Sequence, residues 1–229
     1  MAIVTSVPFA SCNPRSWVCP LYGKIFWRSI ASRANPPTAD LARFAEAYLD
    51  RLKASCDLYP LEDIKSLGET LLDCWKTGRQ VFIFGNGGSA GNAIHLANDW
   101  IYGISKKFGS GLRITALPAN SSVMTALAND EGYDTIFSYQ LAVLAKPGDV
   151  AIALSGSGNS PNIVKALEYT KSAGIKSYAI LGYSGGKALA LADHPIHVAV
   201  NDMQLAEDSQ VIIGHLLMQW LYAARDTVS

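Results

Sequence analysis

Two short stretches carry the residue types best suited to holding a charged small molecule. They are Gly85-Asn86-Gly87-Gly88-Ser89-Ala90 and Ser155-Gly156-Ser157-Gly158-Asn159-Ser160. Each closes an apolar run and opens a helix-like pattern. Glycines let backbone approach an anion closely, and a following helix offers free N–H groups at the positive end of its dipole. Ser89 and Ser160 sit where N-cap side chains belong, and Ser155 and Ser157 add hydroxyl donors. A terminal phosphate, with three acceptor oxygens, suits such a cradle. The first stretch also reads G-x-G-x-x-A, a dinucleotide fingerprint, but that reading wants an acid about 20 residues on, ending the second strand. The second strand here ends in Leu117-Pro118-Ala119-Asn120, so no NAD is expected.

The elements that must position these loops follow from periodicity. After Pro36-Pro37, "LARFAEAYLDRLKASC" and "LEDIKSLGETLLDCWKTG" each place apolar residues at three-to-four spacing, with Thr38 as a cap for the first and Gly78 as a stop for the second. Strand and helix signals then alternate. "QVFIFG", "LRITALP", "VAIALSG", "KSYAILGY" and "PIHVAV" read as strands, and "SAGNAIHLANDWIYG" reads as one continuous helix. The final helix spans about Gln204 to Ala224. Five short apolar strands separated by helices predict an α/β fold, a five-stranded parallel doubly wound sheet with N-terminal helices. Ligands of such sheets sit beyond the strands' carboxyl ends, where both Gly/Ser loops fall.

Composition excludes several classes. A formal net charge of +0 makes no electrostatic case for nucleic acid or a membrane surface. No apolar run approaches the roughly 18 residues of a spanning helix. The segment before Asp40 is acid-free and holds Arg15, Lys24, Arg28 and Arg33. Residues 1–37 are read as a poorly defined extension with some likeness to a transit peptide, ahead of a single domain over 38–229 whose helical segment spans 38–78. Cys12, Cys19, Cys56 and Cys74 make no disulfide framework, which predicts a reduced, cytoplasmic protein.

The blocks "GNGGSAGNAIHLAND", "TALANDEGYDTIF", "SGSGNSPNIVKALEYTKSAGIK", "GGKALALADHPIHV" and "EDSQVIIGHLLMQWL" together resemble the sugar isomerase (SIS) domain family, in its phosphoheptose isomerase branch. The resemblance covers roughly residues 40–225 and implies a flavodoxin-like sheet. It also implies a homotetramer with shared sites, and isomerisation of a ketose phosphate such as sedoheptulose 7-phosphate. Carried over, Asn86, Gly87, Ser89, Asn120, Ser155, Ser157, Ser160 and Gln210 contact the sugar phosphate. Gly156 replaces a Thr common in the branch, and Asn120 an Asp.

Aldose–ketose isomerisation moves a proton between C1 and C2 through an enediol, and so needs a base and an acid. In the branch, a His and a Glu one turn apart meet a Gln and a His on the last helix and can hold zinc. The matching positions are His95, Asp99, Gln210 and Met218. The implied metal set is thus His95, Asp99 and Gln210, with no evident fourth ligand, since a thioether suits zinc poorly. Asp99 is one methylene shorter than Glu, a retreat of about 1.5 Å, comparable to one helical rise. Glu207 matches a branch Asp. His215 lies near Met218 but about 140° around the helix from Gln210. The candidate proton-transfer residues are Asp99, His215 and Glu207. The departures at Asp99 and Met218 also leave open a non-catalytic phosphosugar-binding protein that acts through a partner. His194, His197 and Lys106-Lys107 read as structural or solvated, and Trp100 and Trp220 as core or interface aromatics.

Overall fold

The computed structural model describes residues 39–106 and 109–228. The extension expected at 1–37, with Cys12 and Cys19, and also Thr38 and Lys107, lie outside the described residues. Two helices come first, α1 (Leu41–Cys56) and α2 (Leu61–Thr77). Asp40 caps α1 by accepting the N–H groups of Ala42 and Arg43 at 3.1 and 3.3 Å. Gly78 ends α2 in the left-handed region at φ 70°, where a side chain would be strained.

The alternating part follows as β1 (Val81–Gly85), α3 (Gly88–Asn98), β2 (Ile114–Ala116), α4 (Ser121–Asp130) and α5 (Ile136–Leu144). Then come β3 (Val150–Ser155), α6 (Pro161–Ala173), β4 (Lys176–Leu181), α7 (Ala188–Leu191), β5 (His194–His197) and α8 (Met203–Ala224). All pairings are parallel, in the order β2-β1-β3-β4-β5. This is the flavodoxin-like doubly wound order, whose switch point lies between β1 and β3. Both Gly/Ser loops therefore leave neighbouring strand ends, with Gly85 paired beside Leu154.

Alternate residues of each strand feed two separate cores, as a sheet covered on both faces requires. Val81, Ile83, Ile152, Leu154 and Ile180 meet Leu67, Leu71, Leu96, Trp100, Ile213 and Leu217 of α2, α3, the turn after it and α8. Phe82, Phe84, Ala151, Ala153 and Leu181 meet Phe137, Ile163 and Leu167 of α5 and α6. The strand expected through Val200 stops at His197, and the helix expected through Gly103 changes type. From Asp99 to Gly103 it widens into a π-turn, with the Ile104 N–H reaching the Asp99 carbonyl five residues back at 3.2 Å.

Helices α3 and α8 run parallel. Gly88 meets Glu207, Leu96 meets Gly214, and Gly103 meets Met218. At Gly214 an added Cβ would run into the Leu96 side chain. Trp100 of the π-turn is fully buried and donates its indole N–H to the Gly214 carbonyl at 3.2 Å. Gly214→Val should lower stability by about 1–3 kcal/mol through overpacking. Urea denaturation should show a lower midpoint with an unchanged slope.

Candidate active site

Two clusters form along the α3–α8 seam. The upper one sits at the loop end. Glu207 lies over Gly88, its carboxylate standing where a Cβ on that glycine would be, so a side chain there would displace the carboxylate. The Ser89 N–H donates to Glu207. Burial raises the Glu207 pKa, and the neighbouring Asp208 charge raises it further, while the Ser89 N–H acts in the opposite sense. Asp208 is itself held by the Tyr48 hydroxyl, and Arg51 reaches Asp202 at 2.9 Å, so α1 is tied to the first turns of α8. Burial, then the hydrogen bond to Asp208, pushes the Tyr48 phenol up to about 12. Gln210 is buried; it donates to Ser89 Oγ at 3.1 Å and accepts from Asn92 at 3.0 Å.

The two Gly/Ser loops are therefore not equivalent. The N-terminus of α3 already holds a carboxylate of the same chain, and Gly87, not Ser89, occupies its cap position. The second loop is arranged differently. Ser155 Oγ accepts the Gly158 N–H at 3.0 Å, and Ser157 Oγ accepts the Asn159 N–H at 3.3 Å, which leaves both hydroxyl protons for a ligand. Ser160 stands at the N-cap of α6 but makes no side-chain capping bond. Asn86 and Asn162 exchange amide hydrogen bonds at 2.8 and 2.9 Å and so lock the loops together. The Tyr133 hydroxyl adds a 3.1 Å bond to Asn86, a contact that no periodicity in the sequence signals. Asn120 is exposed and caps α4 through the Val123 N–H. The position of the missing Thr hydroxyl is filled from α8: a Cβ at Gly156 would lie 2.8 Å from Met203 Sδ.

The lower cluster lies two turns farther along the same helices. His95 Nε2 and His215 Nε2 are 2.8 Å apart, and Asp99 Oδ2 is 3.6 Å from the first and 3.4 Å from the second. The rings meet edge to face. Gln210, expected beside His95 and Asp99, is instead held by Ser89 and Asn92, and His215 stands beside them. The helical angle from Gln210 that turned His215 away from the upper cluster is what turns it toward this one. Met218 packs on the core beside Gly103 and joins neither cluster. His194 stacks on the Tyr178 ring, and His197 bonds the Tyr183 carbonyl, both remote in role from these clusters.

A profile of the SIS domain matches residues 44–182. The chain is 38% identical to a phosphoheptose isomerase of Trichlorobacter lovleyi over 67% of its own length and 78% of that protein. The chain belongs to the SIS domain family. Within it, the similarity is to phosphoheptose isomerases. A solved phosphoheptose isomerase from Neisseria gonorrhoeae superposes with a TM-score of 0.70 at 29% identity, covering 79% of this chain and 95% of that one. Another, from Francisella tularensis, shares the fold with a TM-score of 0.73 at 23% identity. The SIS profile ends before α8, so Glu207, Gln210 and His215 lie on an element outside the profile's span.

The raised Glu207 pKa fixes the sign of a pH effect. A carboxyl whose folded pKa exceeds its unfolded value favours the fold while protonated, and that gain is lost as pH rises through the folded pKa. Glu207→Gln should therefore be increasingly stabilising, relative to the parent, as pH is raised from acid to neutral. Melting temperatures of both proteins across that range check it; a difference constant with pH would contradict a raised pKa.

Proposed function

We propose that this SIS protein is a phosphosugar isomerase that interconverts a ketose phosphate and an aldose phosphate, with sedoheptulose 7-phosphate as the substrate. One observation carries this reading. A loop with hydroxyl protons still to give leaves the strand next to the one that leads into α3. The first turn of α3 holds the half-buried Glu207 carboxyl of raised pKa, and farther along the α3–α8 seam His95, Asp99 and His215 come together. Ser155, Ser157 and Ser160 take the phosphate. Glu207, poised upward by burial, moves the proton between C1 and C2, which is the direction in which a catalytic carboxyl is tuned. Asp99 and the two imidazoles serve the substrate oxygens.

Eight residues of α8, about 12 Å of helix, separate Glu207 from His215. That is the separation of the two clusters along the helix axis. We propose that they meet across subunits of a homo-oligomer, a tetramer with shared sites. Support comes from the exposed apolar residues around the lower cluster: Ile94, Ile101, Tyr102, Leu216 and Trp220. Among the described residues, no helix is long and apolar enough to cross a membrane. A reduced cytoplasmic setting completes the proposal, in keeping with the free thiols of Cys56 and Cys74.

Sedoheptulose 7-phosphate incubated with the purified protein should yield an aldose phosphate, and Glu207→Gln should cut kcat about 10²–10⁴-fold with little change in KM. Tight binding of the sugar phosphate without turnover would instead favour the non-catalytic alternative. Sharing between subunits has its own test. Oligomers reassembled from a mixture of Glu207→Gln and His215→Ala chains should regain turnover that neither variant has alone. No recovery on mixing would place each site within one chain.

A further inference from the structure

We propose that a cleft at the amino end of the sheet, where β1, β2 and β3 begin, binds a phosphate ester of about nucleotide size. The cleft encloses about 470 Å³. It lies at the opposite end of the strands from both Gly/Ser loops, whereas ligands of such sheets ordinarily sit beyond the carboxyl ends. β3 runs from Val150 to Ser155, which at about 3.3 Å per residue puts about 17 Å between the two ends. The cleft is therefore a second site, and it owes nothing to the isomerase reading above.

Each of these three strands is entered past a cation. Arg79 stands just before β1, Arg113 just before β2, and Lys146 in the turn before β3. The strands are neighbours in the order β2-β1-β3, so parallel pairing brings the three side chains to one cleft. The chain as a whole has a formal net charge of +0, which makes the gathering local. Arg113 is fixed by donating from Nη1 to the Gly78 carbonyl at 2.9 Å, which leaves most of its N–H donors unspent. Arg79 pairs through Nη1 with Asp73 at 3.0 Å.

A solvated basic surface is commonly laced with acids, as Lys65 is here between Glu62 and Glu69. Among the described residues, no carboxylate forms an ion pair with Arg113 or Lys146. The acid in the lining, Asp149, is buried and already engaged. It accepts the Gln80 N–H at 3.0 Å and the Lys146 N–H at 2.8 Å, so backbone donors answer its charge. Two cations are thus left facing the cleft with no counter-charge of the protein.

The remaining lining sets the ligand class. Thr115 Oγ1 accepts from Gln80 Nε2 at 3.0 Å, which leaves the hydroxyl proton to give. A guanidinium fork, an ammonium and a hydroxyl are all donors, a set that matches the oxygens of a phosphate. The volume falls in the range of small-molecule sites, about 300–1,000 Å³. A bare phosphate would fill only part of it. Leu144 and Pro147 add an exposed apolar wall on which an organic body can rest. Nucleotides and sugar bisphosphates share this chemistry.

Calorimetry on the full-length protein at low salt, with ADP, fructose 1,6-bisphosphate and adenosine as probes, tests the site. At least one of the two phosphate probes should bind, once per chain, and adenosine should not. Binding of ADP alone identifies a nucleotide ligand, and binding of the bisphosphate alone a sugar phosphate. Lys146→Ala and Arg113→Ala should each weaken that binding by about 10-fold or more, as loss of a charged hydrogen-bond donor does. Ser155→Ala, at the far end of β3, should leave it unchanged. The Lys146 ammonium makes no hydrogen bond or ion pair among the described residues, so its loss removes no support from the fold; circular dichroism checks Arg113→Ala. Binding of neither phosphate probe, or adenosine binding as tightly as ADP, overturns the proposal. So does binding that survives both cleft variants and is lost in Ser155→Ala. Turnover of sedoheptulose 7-phosphate by Lys146→Ala should match the parent, and failure of that turnover in both proteins sinks the isomerase reading while leaving the cleft.

Discussion

The close parallel packing of α3 on α8 is the constraint on which the rest of the site depends. At Gly214 the Leu96 side chain lies against the α8 backbone and takes the space a Cβ would need. Everything chemical on this seam follows from that contact. Above it, Glu207 reaches Gly88 and Gln210 reaches Ser89; below it, His215 reaches His95. A millimetric analogy is a zipper whose teeth register from one fixed point. Slip α8 by one residue, 1.5 Å and 100° of rotation, and both clusters come apart together.

Two helix N-termini of this fold are used differently. At α3 the terminus neutralises Glu207, a carboxylate of the protein itself. At α6 the hydroxyls of the second loop accept neighbouring backbone N–H groups and keep their protons. A phosphate and a carboxylate would compete for the same dipole, and at α3 that place is already taken by Glu207. The Asn86–Asn162 pair keeps the filled loop and the open one at a fixed separation. The cost is a half-buried acid at Glu207, whose pKa that burial raises.

Much of the fold was legible in the chain. Short continuous apolar runs placed the five strands and three-to-four spacing placed most helices, because core burial on both sheet faces demands continuous apolar strands. Two local features escaped. The π-turn at Asp99–Gly103 has the composition of an ordinary helix, and its widening goes with Trp100 bonding the Gly214 carbonyl and Gly103 lying against Met218, both of α8. The strand after His194 ends early although Val198 and Val200 are apolar, since the Val200 N–H turns back to the Val198 carbonyl at 2.7 Å.

The sequence by itself determined the sheet, its family and the residues able to do chemistry, since residue type and spacing are local properties. It could not decide which of those residues meet. From helical angle alone, His215 was turned away from Gln210, and that angle is correct. Only the tertiary structure decided what lies in the direction His215 does face, because that depends on the height and rotation at which α8 docks on α3. The opening "GNGGS" shows the same division. Its glycines announce a close approach to an anion; the docking of α8 makes that anion Glu207.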